Sequence, residues 1–128
     1  MADKRFGLPR EERVASTKDF DRVFAEGRRL AEPPIYARCA PNGLKVTRIG
    51  IAVPNKFGKA ARRNRVKRLI REAYRLHKHD VPPGYDIIIL PAHGWDAPPL
   101  QAIEESIVRL GRKLAAQRDA APRPETGG

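Results

Sequence analysis

Apolar side chains recur along this chain at two spacings, and each change of spacing marks an element. Phe20, Val23 and Phe24 stand at i, i+3 and i+4, one face of a helix, with Ser16 and Thr17 as N-cap hydroxyls, Asp19 and Asp21 at its positive end and Gly27 at its exit. The spacing predicts a short helix over residues 17–26 whose apolar face is either buried or used. After Pro33 and Pro34 the period falls to two. Residues 35–40 read as a strand with Ile35, Ala37 and Cys39 on one side and Tyr36 and Arg38 on the other. The turn residues Pro41, Asn42 and Gly43 predict that the next strand, over residues 48–53, runs antiparallel to it. That strand has an apolar face of Ile49, Ile51 and Val53, and a second face of Arg48, Gly50 and Ala52 with little bulk at its centre. Either a ligand or a packed helix approaches the second face closely.

Past Pro54 and Gly58 the period returns to that of a helix, running from near residue 59 to near residue 79 before Pro82, Pro83 and Gly84 stop it. Residues 85–90, with three successive isoleucines, read as a central strand covered on both faces. Strand, helix and strand in this order form a βαβ unit, which makes the two strands parallel. Asp96 as N-cap, Pro98 in the first turn and the stripe Leu100, Ile103, Ile107, Leu110 and Leu114 predict a last helix over residues 97–117. Residues 1–12 read as a flexible basic arm, residues 13–117 as the domain, and residues 118–128 as a disordered tail.

Length and composition narrow the picture further. A chain of 128 residues, 41% hydrophobic, supports one core and not two. No run approaches the ~18 apolar residues of a membrane span, and the first stretch holds no signal-peptide core, so the expectation is a cytoplasmic protein. A monomer is expected when the protein is free. Cys39 is the one cysteine, which excludes an internal disulfide and multi-cysteine zinc patterns and fits a reducing compartment. Twenty-six Lys and Arg against fifteen Asp and Glu give a net charge of +11, an excess that suits an extended polyanion.

The charge is local. Residues 56–78 carry ten cations against the single anion Glu72, a net +9 of the +11. On the predicted helix Val66, Leu69, Ile70, Ala73, Tyr74 and His77 collect on a stripe that faces the sheet, with Asn64, Lys67, Arg68, Arg71, Arg75 and Lys78 opposite. Ordinary helices put acidic residues at their positive N-terminus, and this one puts Lys59, Arg62 and Arg63 there. Arg62 falls toward the apolar stripe, so the first turn projects beyond the sheet. Phosphates would satisfy such a surface, and arginine forks bind them through paired hydrogen bonds. A self-sufficient nuclease would need a general acid and base or a metal-holding carboxylate cluster. His77 and His79 face different ways, His93 stands alone before Gly94, and Asp86, Glu104 and Glu105 each fit a structural place. Neither a catalytic side chain nor a metal bound by the protein alone is expected. The charge and pattern fit a structural RNA-binding protein such as a ribosomal component. A DNA-binding helix would call for a dimerisation seam that the pattern lacks.

The twenty-residue run from Lys56 to Arg75, with Arg63, Asn64 and Arg65 at the start of a long basic helix, resembles the bacterial ribonuclease P protein subunit. The resemblance extends to Asp19, Phe20, Val23, Phe24 and Gly27, to the strand at residues 48–53 and to the strand that begins at Tyr85. It implies an α/β fold, a two-layer sandwich with a mixed sheet of about four strands and three helices, whose crossover through the basic helix is left-handed. It also implies removal of the 5′ leader from precursor tRNA by a ribonucleoprotein in which RNA is the catalyst and Mg2+ acts through the RNA subunit. The partners implied are ribonuclease P RNA and the precursor's leader, with no membrane and no small-molecule substrate. Lys56, Lys59, Arg62, Arg63, Asn64, Arg65, Lys67, Arg68, Arg71 and Arg75 would meet the RNA subunit. A cleft between the first helix and the sheet would hold the leader, with Phe20 and Phe24 at the family's aromatic positions and Tyr36 and Arg38 beside them. Aromatic faces stack on any base without reading sequence. For Phe20 and Phe24 a place in the core is the competing reading, and Arg38 stands where the family often has an aromatic.

Overall fold

The computed structural model describes residues 8–120. Its first helix, α1 (Thr17–Glu26), starts where Ser16 Oγ accepts the amide of Asp19 at 3.0 Å. At its other end Gly27 is required by close approach rather than by a left-handed turn: its φ is −74°, and a Cβ there would lie 2.4 Å from the carbonyl oxygen of Val23. Strands β1 (Arg28–Glu32) and β2 (Ile35–Pro41) form a hairpin through Pro33 and Pro34, joined by a cis peptide bond. Strand β3 (Arg48–Ile51) leads through one short turn into α2 (Ala60–His77), then β4 (Tyr85–Pro91) and α3 (Leu100–Ala120).

The sheet order is β1-β2-β4-β3. Strand β4 runs parallel to β3, as the βαβ reading requires, and antiparallel to β2. The turn after β2 therefore sends β3 back in the opposite direction but does not pair the two strands, because β4 lies between them. Burial explains this placement. Residues Asp86 to Pro91 are all buried, and only a central position covers a strand that is apolar on both faces.

Helices α2 and α3 lie together on one face, where Val66, Ile70, Ala73 and Tyr74 of α2 and Ile103, Ile107, Leu110 and Leu114 of α3 pack on Ile35, Ala37, Cys39, Ile49, Ile87 and Ile89. Each fully buried isoleucine or leucine contributes about 1.5–3 kcal/mol, so this layer dominates the stability. Helix α1 crosses the opposite face, where Val23 packs on Ala40, Ile88 and Leu90. Among the described residues no helix is long and apolar enough to cross a membrane.

Three sequence expectations are corrected. The segment Arg28–Glu32, for which the spacing predicts no element, is a strand. The arm is built where it is described: Leu8 is buried and Arg10–Glu12 form a 3-10 turn, and just after the arm Val14 N donates to Ile49 O at 2.9 Å along the outer edge of β3. The last helix begins and ends three residues later than expected. A residue that precedes proline is pushed out of the helical region, and Ala97 and Pro98 both do so, so α3 starts after Pro99 and Asp96 does not cap it. Residues 1–7 of the expected arm and 121–128 of the expected tail lie outside the described residues.

Candidate nucleic-acid interface

Helix α2 splits lengthwise into two chemistries. Val66, Ile70, Ala73 and Tyr74 are buried, with Leu69 partly so, while Arg62, Asn64, Arg65 and Arg68 are exposed. His77, placed on the buried stripe by its spacing, sits at the rim and bonds Glu104 Oε1 through Nε2 at 2.8 Å and Asp80 Oδ2 through Nδ1 at 3.3 Å. The N-cap residue Lys59 gives no side-chain cap and the first turn holds no acid, so the positive end of the helix is left to whatever anion comes.

The cations divide into those already answered and those not. Arg75 forks onto Glu72 at 3.0 and 2.6 Å, Lys78 reaches Glu12 at 3.0 Å, and Arg63 Nε donates to the carbonyl of Gly58 at 3.0 Å. Lys56 lies with its Nζ 6.0 Å from the Phe57 ring. Lys59, Arg62, Arg65, Lys67 and Arg68 meet no carboxylate within ion-pair distance among the described residues. Burial, and then the like charges of Arg13 and Arg68, push Arg71 below its ordinary value. The positive field of α2 thus extends onto Arg13, a residue that sequence reasoning did not select. Nothing local could have found it, since the contact arises only when the N-terminal segment runs along β3.

On the other face, Phe20 and Tyr36 pack with Ala52 against the cluster of Val23, Ala40, Ile88 and Leu90. Phe20 is half-buried, and its Cζ lies 2.8 Å from where a Cβ on Gly50 would stand. The small centre of that strand face therefore admits the ring of a helix residue. Phe24, one turn on, is 39% exposed. Arg38 Nη1 donates to the carbonyl of Gly27 at 3.2 Å and ties β2 to the end of α1. Arg29 lies over the Tyr36 ring at 4.3 Å from its centroid, a further cation on this face that the spacing did not single out. Of the four residues assigned to the leader cleft, Phe20 and Tyr36 share one apolar cluster, Arg38 frames it, and Phe24 is open to solvent.

Other reactive types are held in structure. Cys39 is buried, which pushes its thiol up to about 12, and His79 and His93 are exposed on separate segments.

The family profile described as Ribonuclease P matches residues 8–115 of this chain. The chain belongs to the ribonuclease P protein family. It is 35% identical over 109 residues to the ribonuclease P protein component of Thermotoga petrophila, covering 82% of this chain and 93% of that one. It is 43% identical over 82 residues to the component of Thermotoga maritima, covering 64% and 70%. The solved structure of the Thermotoga maritima ribonuclease P protein superposes with a TM-score of 0.72 at 33% identity, over 80% of this chain and 96% of that one. That of Staphylococcus aureus superposes with a TM-score of 0.67 at 28% identity, over 81% and 94%. The four-stranded mixed sheet with three helices is thus the fold of the ribonuclease P protein. Membership carries a role in an RNA-processing ribonucleoprotein and partnership with ribonuclease P RNA.

Proposed function

We propose that this chain is the protein subunit of ribonuclease P, that it docks on the catalytic RNA along the exposed side of α2, and that it holds the 5′ leader of precursor tRNA against the α1 face of the sheet. The observation that carries the proposal is the row of cations from Lys59 to Arg68 that no carboxylate answers among the described residues. Such a row is costly in the free protein and is relieved by a sugar-phosphate backbone, whose counterions are released on binding.

Two RNAs that must lie close together repel each other, and cations placed between them lower that repulsion. In this reading the protein reduces the magnesium that the RNA subunit needs, and the RNA carries out the cleavage. The leader lies across Phe20, Phe24, Tyr36 and Arg38, where stacking is indifferent to base identity and suits a processor of many tRNAs. The protein works in the cytoplasm and is monomeric until it meets RNA.

Reconstitution tests the proposal. The purified chain alone leaves precursor tRNA intact, and adding it to a bacterial ribonuclease P RNA at low magnesium restores 5′ maturation. Absence of rescue, or cleavage by the protein alone, overturns the proposal, and binding to RNA without rescue assigns the chain to a structural role.

A further inference from the structure

Between the exposed side of α2 and the segment that leads from β4 into α3 lies a groove of about 680 Å³, lined by Arg62, Arg65, Arg68, Leu69, Trp95 and Pro98 among others. Its apolar wall is continuous with the core, since Leu69 and Trp95 both pack partly against the main cluster. Its polar side is a ladder. Arg62, Arg65 and Arg68 follow one another three residues apart along α2, each about 4.5 Å further along the axis. Glu72 also borders the groove, but both its carboxylate oxygens are engaged by Arg75, at 3.0 and 2.6 Å, so it leaves the ladder's charge standing.

The opposite wall is a turn and a left-handed residue in succession. Trp95 N donates to Ala92 O at 3.0 Å, closing a turn through Gly94 at φ 89°. Two residues later Ala97 stands at φ 45°, a left-handed conformation that a residue with a Cβ seldom adopts and that departs from the extended backbone usual before a proline. Backbone held in this way concentrates at places that position a functional side chain. Here the segment brings the partly buried Trp95 into one groove with Arg62, Arg65 and Arg68.

A flat π surface beside a ladder of cations is an arrangement that receives an unstacked base together with its flanking phosphates. We propose that this groove takes one unpaired nucleotide of ribonuclease P RNA, its base against Trp95 and its phosphates on Arg62, Arg65 and Arg68. The inference rests on the proposed function and adds a base-stacking contact to a helix otherwise argued to meet only phosphates. It assigns the RNA subunit rather than the leader because the groove is built by α2, whereas the leader face lies across the sheet under α1. An acidic peptide would satisfy the cations but would leave the indole without a stacking partner.

Trp95 is the only tryptophan of the chain, so its emission reports on the groove directly. The full-length protein is titrated with a transcribed bacterial ribonuclease P RNA, and filter retention and tryptophan emission are read from the same samples. Emission is expected to fall by about half along the retention curve, with W95F holding affinity within about threefold and W95L losing about tenfold, the scale of one stacked base. Retention with unchanged emission overturns the groove assignment and leaves the proposed function standing. So does a fall in emission with W95L binding as tightly as the parent chain, or equal quenching by an isolated leader oligonucleotide. No retention at all removes the proposed function and this inference with it. The emission measurement uses the unaltered chain, so a misfolded variant does not decide the outcome.

Discussion

Arg48 and Asp86 stand opposite one another on the parallel strands β3 and β4 and share two hydrogen bonds, Nε to Oδ1 at 2.8 Å and Nη2 to Oδ2 at 2.6 Å. Asp86 is fully buried and also accepts from Asn42 Nδ2 at 2.9 Å and from the guanidinium of Arg22 on α1. One carboxylate thus fixes the helix that carries Phe20 to the strands beneath it. Burial pushes its pKa up, and the hydrogen bonds from Arg48 and Asn42, with the charges of Arg48 and Arg22, outweigh that and hold it below the ordinary 3.8. Asp86 is buried while Arg48 and Arg22 remain partly exposed, so Asp86→Ala is expected to lose about 1.5–3 kcal/mol in urea unfolding, the scale of hydrogen bonds to a charged group. The sign in pH follows from the depressed value: the contribution is present above about pH 3.8 and is lost as pH falls through the native pKa. In Asp86→Asn this part of the acid sensitivity disappears. An unchanged acid limb in that variant would place its source elsewhere.

The fit of Phe20 on Gly50 predicts a coupled pair. Gly50→Ala places a Cβ against the ring and is expected to cost about 1–3 kcal/mol, the range for overpacking. With Phe20→Leu already in place the same change costs less, because the shorter side chain leaves room. A double-mutant cycle checks this, and additive losses would mean that the two residues do not bear on each other. Precursor tRNA should lose more affinity than mature tRNA in either single variant.

Along α2 the answered and unanswered cations should behave differently. Arg65→Ala and Arg68→Ala are each expected to flatten the log-log salt dependence of RNA-subunit binding by roughly 0.7–0.9 units for each phosphate no longer neutralised. Arg75→Ala, whose guanidinium is engaged by Glu72, should change the slope less. Equal slopes in all three would mark the exposed side of α2 as merely solvated.

His77 bridges the end of α2 to α3. Its hydrogen bond with Glu104, against a smaller opposing effect of burial and with help from Asp80, raises its pKa above the ordinary 6.5. A raised value stabilises the fold below about pH 6.5, and that contribution is lost as pH climbs through the native pKa. Glu104→Gln should bring the His77 titration, followed by NMR, down toward its ordinary value. A titration that does not move would assign the shift to Asp80.

The elements legible in the sequence are those whose signal is local. The Ser16 cap opens α1, the stripe of Val66, Ile70, Ala73 and Tyr74 turns α2 toward the sheet, and three isoleucines place β4 at its centre. Strand β1 is not legible, because only Leu30 within Arg28–Glu32 is a large apolar residue and its pairing is secured from far along the chain. Glu32 is buried and held by Arg109 at 2.8 Å and Lys113 at 2.5 Å, both from α3. The insertion of β4 between β2 and β3 is hidden for the same reason, since a turn fixes direction and not neighbours. Of the candidate site, the basic side of α2 follows from periodicity alone, whereas Arg13, Arg29 and Trp95 join it only once the chain has folded.

A four-stranded sheet has two open rims, and a rim invites a stray strand from another molecule. Here the chain's own beginning seals one of them, with Arg13 bridging to Ile49 and Val14 bonded to the same residue. The far rim is guarded by the exposed charges of Arg28 and Arg29. Blunted rims keep a protein at high local concentration from adding strands edge to edge into fibrils. A shortened chain that began after Val14 would keep its basic helix and lose that safeguard.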